Sequence, residues 1–361
     1  MTNKVLLLDG SGASFPIRVV LEALGYQVAS IGAYPNQFQA RLGASHNGVN
    51  YSDRNQLAAV LDEKKCVLAI PGCTDISFQS YASLDEAYQC IDKQAIQNLQ
   101  SFLSKTELAV TLSRMDLPTL DVPLNEVLSE AVNESIIVKP ADAFSGRGIT
   151  VLQASIWTPE QLEVALVQAR SASTDQCALI QRYLKGDLFS LSLFSDGQQM
   201  LVSPVIQEYI NPDRRVVSSH LADEEISQLE SVKRFIDAIH GVLGKARWFL
   251  HVQFLLSPET KEAFVIDCAA RCPGDYYGVL VEMASEFPYF SSYAQVFTRG
   301  QLSRVCVTQL DRGIVRKTFH GFDAMYGSGV DISGFKMLEF YPDLDWSGDV
   351  DGRIGVGFYR R

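Results

Sequence analysis

No stretch of this sequence approaches the roughly 18 consecutive apolar residues that a membrane-spanning helix needs. The first apolar run, Val5–Leu8, is also too short for a signal-peptide core, and Asp9-Gly10 follows it in place of a cleavage-like site. The expectation is a cytoplasmic protein that stays off membranes. Basic charge is scarce: 31 Lys and Arg face 42 Asp and Glu, for a net charge of −11. That balance argues against a nucleic-acid partner, which requires a basic face. The cysteines number seven, so they cannot all pair, and no Cys-x-x-Cys motif occurs. Cys268 and Cys272 lie four apart without a second cysteine or histidine pair at zinc spacing, so reduced thiols are expected. Repeats and low-complexity segments are absent. No Gly-Lys-Ser/Thr follows a glycine loop, which removes a Walker-type phosphate loop.

What is present is length and alternation. The 361 residues suffice for two or three domains. Residues 4–8 read as a strand, Pro16–Leu24 as a helix closed by Gly25, and Gln27–Ile31 as a second strand. Arg54–Asp62 reads as a helix and Cys66–Ile70 as a strand. Strands alternating with helices predict a parallel sheet, whose ligands sit outside the strand C-termini. Gly10–Ser14 and Gly72–Asp75 belong there. Gly10-x-Gly12 falls short of the dinucleotide fingerprint, because no third glycine and no acid ending the second strand follow it.

The chemistry centres on residues 135–150. Ile136–Val138 is a β-branched strand ending in Lys139-Pro140, and Ser145-Gly146-Arg147-Gly148 precedes a second strand, Ile149–Leu152. A cation facing a glycine-bearing hairpin suits a polyphosphate, since glycines let backbone N–H groups approach the oxygens. An ordinary turn fits these residues equally well. A helix is expected over Pro159–Ser171 and a strand over Ala178–Tyr183. The chain then turns at Gly186 into a strand at Phe189–Phe194, and a helix follows over 222–244. Two further strands are Phe249–Leu256 and Ala263–Arg271. Alternation puts His251 and Gln253 on one face of the first, and Asp267, Ala269 and Arg271 on one face of the second. Paired antiparallel, they make either an oxygen-rich patch suited to Mg²⁺ or a structural Asp267–Arg271 ion pair. Asp275 and Glu282 read as solvated acids, and residues 313–361 as further β-structure with no assignable chemistry.

Three separated stretches, taken together, resemble the ATP-grasp superfamily in its carboxylate–amine ligase and carbamoyl-phosphate-synthetase-like branches. They are Ile137–Pro140 with Ser145–Gly148, Ile180–Gly186, and Asp267–Arg271, in the family's order. The resemblance implies an α/β and α+β architecture. Residues 1–95 would form a Rossmann-like pre-ATP-grasp domain, 96–185 a helical linker and lid, and 186–361 a mixed-sheet C-terminal part with a terminal extension. It implies an ATP-dependent ligase that joins a small carboxylate to an amine through an acyl phosphate, with ATP and Mg²⁺. A nucleotide-binding or regulatory protein without catalysis is the alternative. Ligases of this build are often dimers, so a homodimer is an expectation.

By the same resemblance Lys105 and Lys139 would contact phosphates, and Ser145, Gly146, Arg147 and Gly148 would close over them. Gln181, Tyr183 and Leu184 would line the adenine pocket. Arg271 would hold the transferring phosphate, and Gln253 and Asp267 the metal. The family's pattern is Glu on the first strand and Glu-x-Asn on the second, where this chain has Gln253, Asp267 and Ala269. Fewer anionic ligands imply weaker Mg²⁺ binding. Leu188 stands where a ribose-contacting acid is usual, with Asp187 beside it as a substitute. Apart from the resemblance, Arg214, Arg215 and His220 form a polar stretch that reads first as a solvated loop and otherwise as a place for a carboxylate.

Overall fold

The structure, a computed structural model, describes residues 3–34, 37–129, 134–142, 148–211, 215–305, 310–320, 336–340 and 353–360. The chain opens with β1 (Lys4–Leu8), α1 (Phe15–Ala23), β2 (Gln27–Gly32), α2 (Phe38–Arg41), β3 (His46–Gly48), α3 (Arg54–Lys64), β4 (Leu68–Pro71) and α4 (Asp75–Ala82). The strands form a parallel sheet in the order β3-β2-β1-β4. Val5–Leu8 is buried without alternation, as a central parallel strand covered on both faces must be. The Thr74 hydroxyl caps α4 by accepting from the Ser77 N–H, which sets Asp75 at the first helical position.

α5 (Lys93–Leu103) and α6 (Lys105–Arg114) meet at Ser104. Its extended backbone ends the first helix, and its hydroxyl caps the second at the Glu107 N–H. Lys105 thereby becomes the first residue of α6. After α7 (Leu124–Ser129) a small antiparallel sheet forms from β5 (Ile136–Pro140), β6 (Thr150–Leu152) and β7 (Ala178–Arg182), with α8 (Pro159–Ala172) against it. Thr158 and Gln161 close a reciprocal capping box at the start of α8, with Pro159 in the first turn. This unit buries its own apolar cluster, built on Val138, Trp157, Leu162, Leu166 and Ile180, which is separate from the main core.

The remaining elements are β8 (Asp187–Asp196), β9 (Met200–Val202), β10 (Ile206–Ile210), β11 (Val216–Leu221), α9 (Glu224–Gln228), α10 (Glu230–Leu243), β12 (Arg247–Leu256), β13 (Ala263–Ala269), α11 (Tyr277–Ser285), α12 (Tyr289–Phe297), β14 (Ile314–His320), β15 (Lys336–Phe340) and β16 (Arg353–Arg360). Among the described residues they make an antiparallel sheet, β13-β12-β8-β10-β11-β14-β16-β15, with β9 on β8. α12 lies between this sheet and α1, and its Tyr293 hydroxyl donates to the Pro71 carbonyl at 3.0 Å, tying the two sheets together. Phe249 and Phe194 are fully buried beneath it, and Trp248 is fully buried on the opposite face against His240 of α10. Each such side chain contributes about 1.5–3 kcal/mol by leaving water.

The single helix expected over 222–244 is divided. Leu229 turns extended (φ −58°, ψ 134°) and packs its side chain on the core, so α9 stops and α10 restarts.

The register lays a polar row across one face of the large sheet. Asp267 faces Gln253, and Gln253 faces Ser190. Ser190 faces Ile206, two residues from Glu208 and on the same side. Glu208 faces Ser219, and Ser219 faces Arg316.

Candidate active site

A cleft of about 810 Å³ opens between the small sheet, the start of α6 and the polar face of the large sheet. Lys105, Lys139, Gln181, Tyr183, Leu184, Asp187, Gln253, Asp267 and Arg271 all line it. Residues far apart in sequence are therefore brought to one cavity. Ser145, Gly146 and Arg147 lie outside the described residues. Gly148 of the same loop has φ +67°, and a Cβ there would overlap the Ala172 methyl and the Pro140 ring, so the position requires glycine. Arg214 is outside the described residues. Arg215 lines the cleft, whereas His220 bonds the Tyr209 hydroxyl (3.0 Å) and the Leu221 carbonyl (2.7 Å).

Lys139 is half-buried near the end of β5. Burial first, and then the neighbouring Lys105, push its pKa down to about 8, while Asp267 and Asp121 pull the other way. Asp121 was not singled out from the sequence. It bridges to Gln181 along the edge of β7 and accepts from the Gln181 side-chain amide. Burial raises the Asp121 carboxyl above its usual range, against the Gln181 bond and Lys139.

Arg271 corrects one expectation. Its ion-pair partner is Asp75 at the start of α4, not Asp267: Nε and Nη2 donate to the two Asp75 carboxylate oxygens at 2.9 and 3.0 Å. Nη1 donates to the Cys272 carbonyl at 3.2 Å. Asp267 lies within β13 and Arg271 two residues beyond its end, and the guanidinium spans to the start of α4. Burial works against both charges, but the pairing outweighs it. The Asp75 carboxyl is held below its usual range, and the arginine is held more firmly protonated.

The antiparallel register sets His251 opposite Ala269 and Gln253 opposite Asp267. His251 is buried and hydrogen-bonded through Nδ1 to the Ser192 hydroxyl at 3.0 Å. Burial pushes its pKa down to about 3, so the ring is neutral and fixed in place. The Gln253 Nε2 donates to Glu208 at 2.7 Å, so Oε1 is the atom it has to offer a cation.

Glu208 is the main residue that sequence reasoning missed. It is buried, with Oε1 accepting from the Ser190 hydroxyl and Oε2 from Gln253, each at 2.7 Å. Burial and then Asp275 raise its pKa to about 7, against Ser190, Arg316 and Gln253. Asp275 and Glu282 also depart from the solvated roles expected of them. Asp275 pairs with Arg316, and Glu282 accepts from the Phe290 N–H at 2.9 Å. Asp275 precedes α11, and Glu282 within α11 reaches the first turn of α12.

The donors near Gln253 are oxygen atoms, the chemistry Mg²⁺ requires. Among the described residues no group of three or more His, Cys, Asp or Glu is arranged as a metal cage. The set therefore fits a hard cation shared with phosphate oxygens rather than one enclosed by protein. No helix of the described residues is long and apolar enough to cross a membrane.

The chain has the ATP-grasp fold. Over 99% of its length it is similar to the N5-carboxyaminoimidazole synthetase of Staphylococcus aureus solved with ADP, with a TM-score of 0.77 at 14% identity and 93% of that chain covered. The biotin carboxylase domain of the Hydrogenobacter thermophilus 2-oxoglutarate carboxylase, solved with MgADP, ADP and bicarbonate, matches the whole chain with a TM-score of 0.75 at 13% identity, over 86% of its own length. In sequence the chain is 22% identical over 254 residues to the formate-dependent phosphoribosylglycinamide formyltransferase of Synechococcus sp. (strain WH7803). The match covers 67% of this chain but 64% of that relative. No protein-family model matches the chain.

Proposed function

We propose that the chain is an ATP-dependent ligase that activates a small carboxylate as an acyl phosphate and passes the acyl group to an amine. The observation that carries this reading is the convergence of Lys105, Lys139, Arg271, Gln253 and Asp267 on one cleft with the Gln181–Leu184 segment. In this reading the two lysines hold the phosphates, Gln181, Tyr183 and Leu184 bound the adenine, and Asp187 meets the ribose. Gln253 and Asp267 hold Mg²⁺, which when bound neutralises charge on the phosphoryl oxygens. Arg271, fixed by Asp75, presents a cation to the γ-phosphoryl group. Residues 96–185 act as the lid and 186–361 as the floor; the separate apolar cluster supports a lid unit over 122–180, while Ile96, Leu99, Phe102, Leu108 and Leu112 pack into the main core.

A carboxylate oxygen attacks the γ-phosphorus, and the bond to the ADP oxygen breaks. The amine nitrogen then forms the C–N bond as inorganic phosphate leaves with the C–O electron pair, and the nitrogen sheds its proton. The formate-dependent relative and the bicarbonate-bound carboxylase domain support a small acid. Ala269, which offers no metal ligand, favours a second reading in which nucleotide is bound without turnover. The test is ADP release with Mg–ATP across a panel of carboxylates and amines, with Lys139→Ala as control. Acid-dependent ADP from the wild type alone supports the ligase. ADP binding by calorimetry with no stimulating pair supports the second reading.

A further inference from the structure

The polar row does not stop at Glu208. Arg316 on β14 is wholly buried, at 0% exposure. Its Nη1 donates to the Asp275 carbonyl at 2.7 Å and pairs with the carboxylate of the same residue. Its Nε and Nη2 have no hydrogen-bond partner among the described residues. Ser219, directly opposite on β11, is also wholly buried, and its Oγ has no partner. Thr318, two residues along on the same face of β14, has an unpartnered Oγ1 and lines the cleft.

Nearly every buried polar group in a folded protein finds a partner. Here three neighbouring side chains on two paired strands leave their donors unmade, all on the side of the sheet that bounds the cleft. Nε and Nη2 form the side-on edge of a guanidinium, the planar fork that fits a carboxylate with two parallel bonds. Arg271 uses that same edge on Asp75. On Arg316 the edge is buried and has no hydrogen-bond partner among the described residues. The nearby acids bond elsewhere: Asp275 takes Nη1, and the Glu208 oxygens accept from Ser190 and Gln253. Only a group that brings acceptors of its own completes the set.

We propose that Arg316, with Ser219 and Thr318, is the seat of the carboxylate that this protein activates. The guanidinium edge would take both oxygens, and the two hydroxyls would add a bond each. The seat rests on the ligase reading above for its purpose, though not for its existence. It lies in the same row as Gln253, four strands across the sheet, and Thr318 lines the same cleft as Gln253 and Asp267. Asp275 and Glu208 offset the arginine's charge, so a free acid binds weakly and the seat selects by geometry.

The probe is trifluoroacetate, followed by its fluorine resonance with the full chain and no nucleotide. Saturable line broadening that acetate and formate reverse is expected. Thr318→Val and Ser219→Ala should each weaken probe binding about threefold or more, and Arg316→Met should abolish it, with ADP affinity by calorimetry unchanged in all three. Stability gives a second readout. Removing an unpartnered hydroxyl breaks no bond, so the melting temperature of Thr318→Val should hold or rise. A lower melting temperature with wild-type probe binding would assign the hydroxyl to the fold and overturn the seat. Arg316-dependent probe binding without any acid-driven ADP release would keep the seat and remove the ligase. Acid-driven ADP release with an unchanged KM for the acid in Thr318→Val would do the reverse.

Discussion

Lys139 offers the sharpest quantitative test of the cleft. Its ammonium is disfavoured by burial and by Lys105, which lowers its pKa from 10.5 to about 8. At about 1.4 kcal/mol per pH unit this is roughly 3 kcal/mol against the charged form. Bound phosphate would restore the charge and raise the pKa again. Nucleotide binding should therefore take up a proton wherever the free lysine is neutral and the bound one is not, that is, above about pH 8. At pH 7 uptake should be near zero. At pH 9 about nine-tenths of the free lysine is neutral, so uptake should approach one proton and ADP affinity should fall about tenfold. Calorimetry in buffers of differing ionisation enthalpy measures both. The folded pKa lies below the unfolded one, so between about pH 8 and 10.5 the unfolded chain holds more protons. Stability of the ligand-free protein should rise across that window, and Lys139→Met should remove the rise. A flat affinity and no proton uptake at pH 9 would refute the placement of Lys139 against the phosphates.

Asp75→Asn should loosen the bond between the two sheets by about 1 kcal/mol, since the aspartate is half exposed and its charge partly screened; urea unfolding would register it. Gly186→Ala should cost about 1–3 kcal/mol, because a Cβ there overlaps the Leu256 carbonyl oxygen at the join of lid and floor, and thermal unfolding would report it. Ala269→Asn should supply a neutral oxygen beside Asp267 and reduce, several-fold, the Mg²⁺ needed for half-maximal ADP binding; an unchanged requirement would show that the cation sits elsewhere.

The legible parts of the site were those with local pattern. The alternation of His251 with Gln253, and of Asp267 with Ala269, is a period-two signal carried within each strand, and the structure pairs them in that register. Lys139 was legible because Pro140 and the β-branched run before it mark a strand end. The Arg271–Asp75 pair was not, for its partners are 196 residues apart and meet only when the two sheets dock. Glu208 sits in a five-residue strand, Ile206–Ile210, whose sequence does not say which side faces inward. That is decided by β8 and β11 on either side of it. Arg316 lies in a polar run, Arg-Lys-Thr, that reads as exposed. It is buried because β11 and β16 flank its strand and α11 packs against it.

The lid proposed above keeps, among the described residues, an apolar cluster that shares no member with the main core. Two cores that share no side chains need not melt together. Amides of β5 and β7 should exchange with solvent through an opening that leaves the large sheet intact, at a free energy set by the small cluster, ten buried side chains among the described residues. While the lid is open the lysine from β5 is missing from the cleft, so apparent nucleotide affinity scales with the fraction of molecules whose lid is folded. On warming, the protein should lose its ligand before it loses its fold, and the gap between those two temperatures would measure how little the small core depends on the large one.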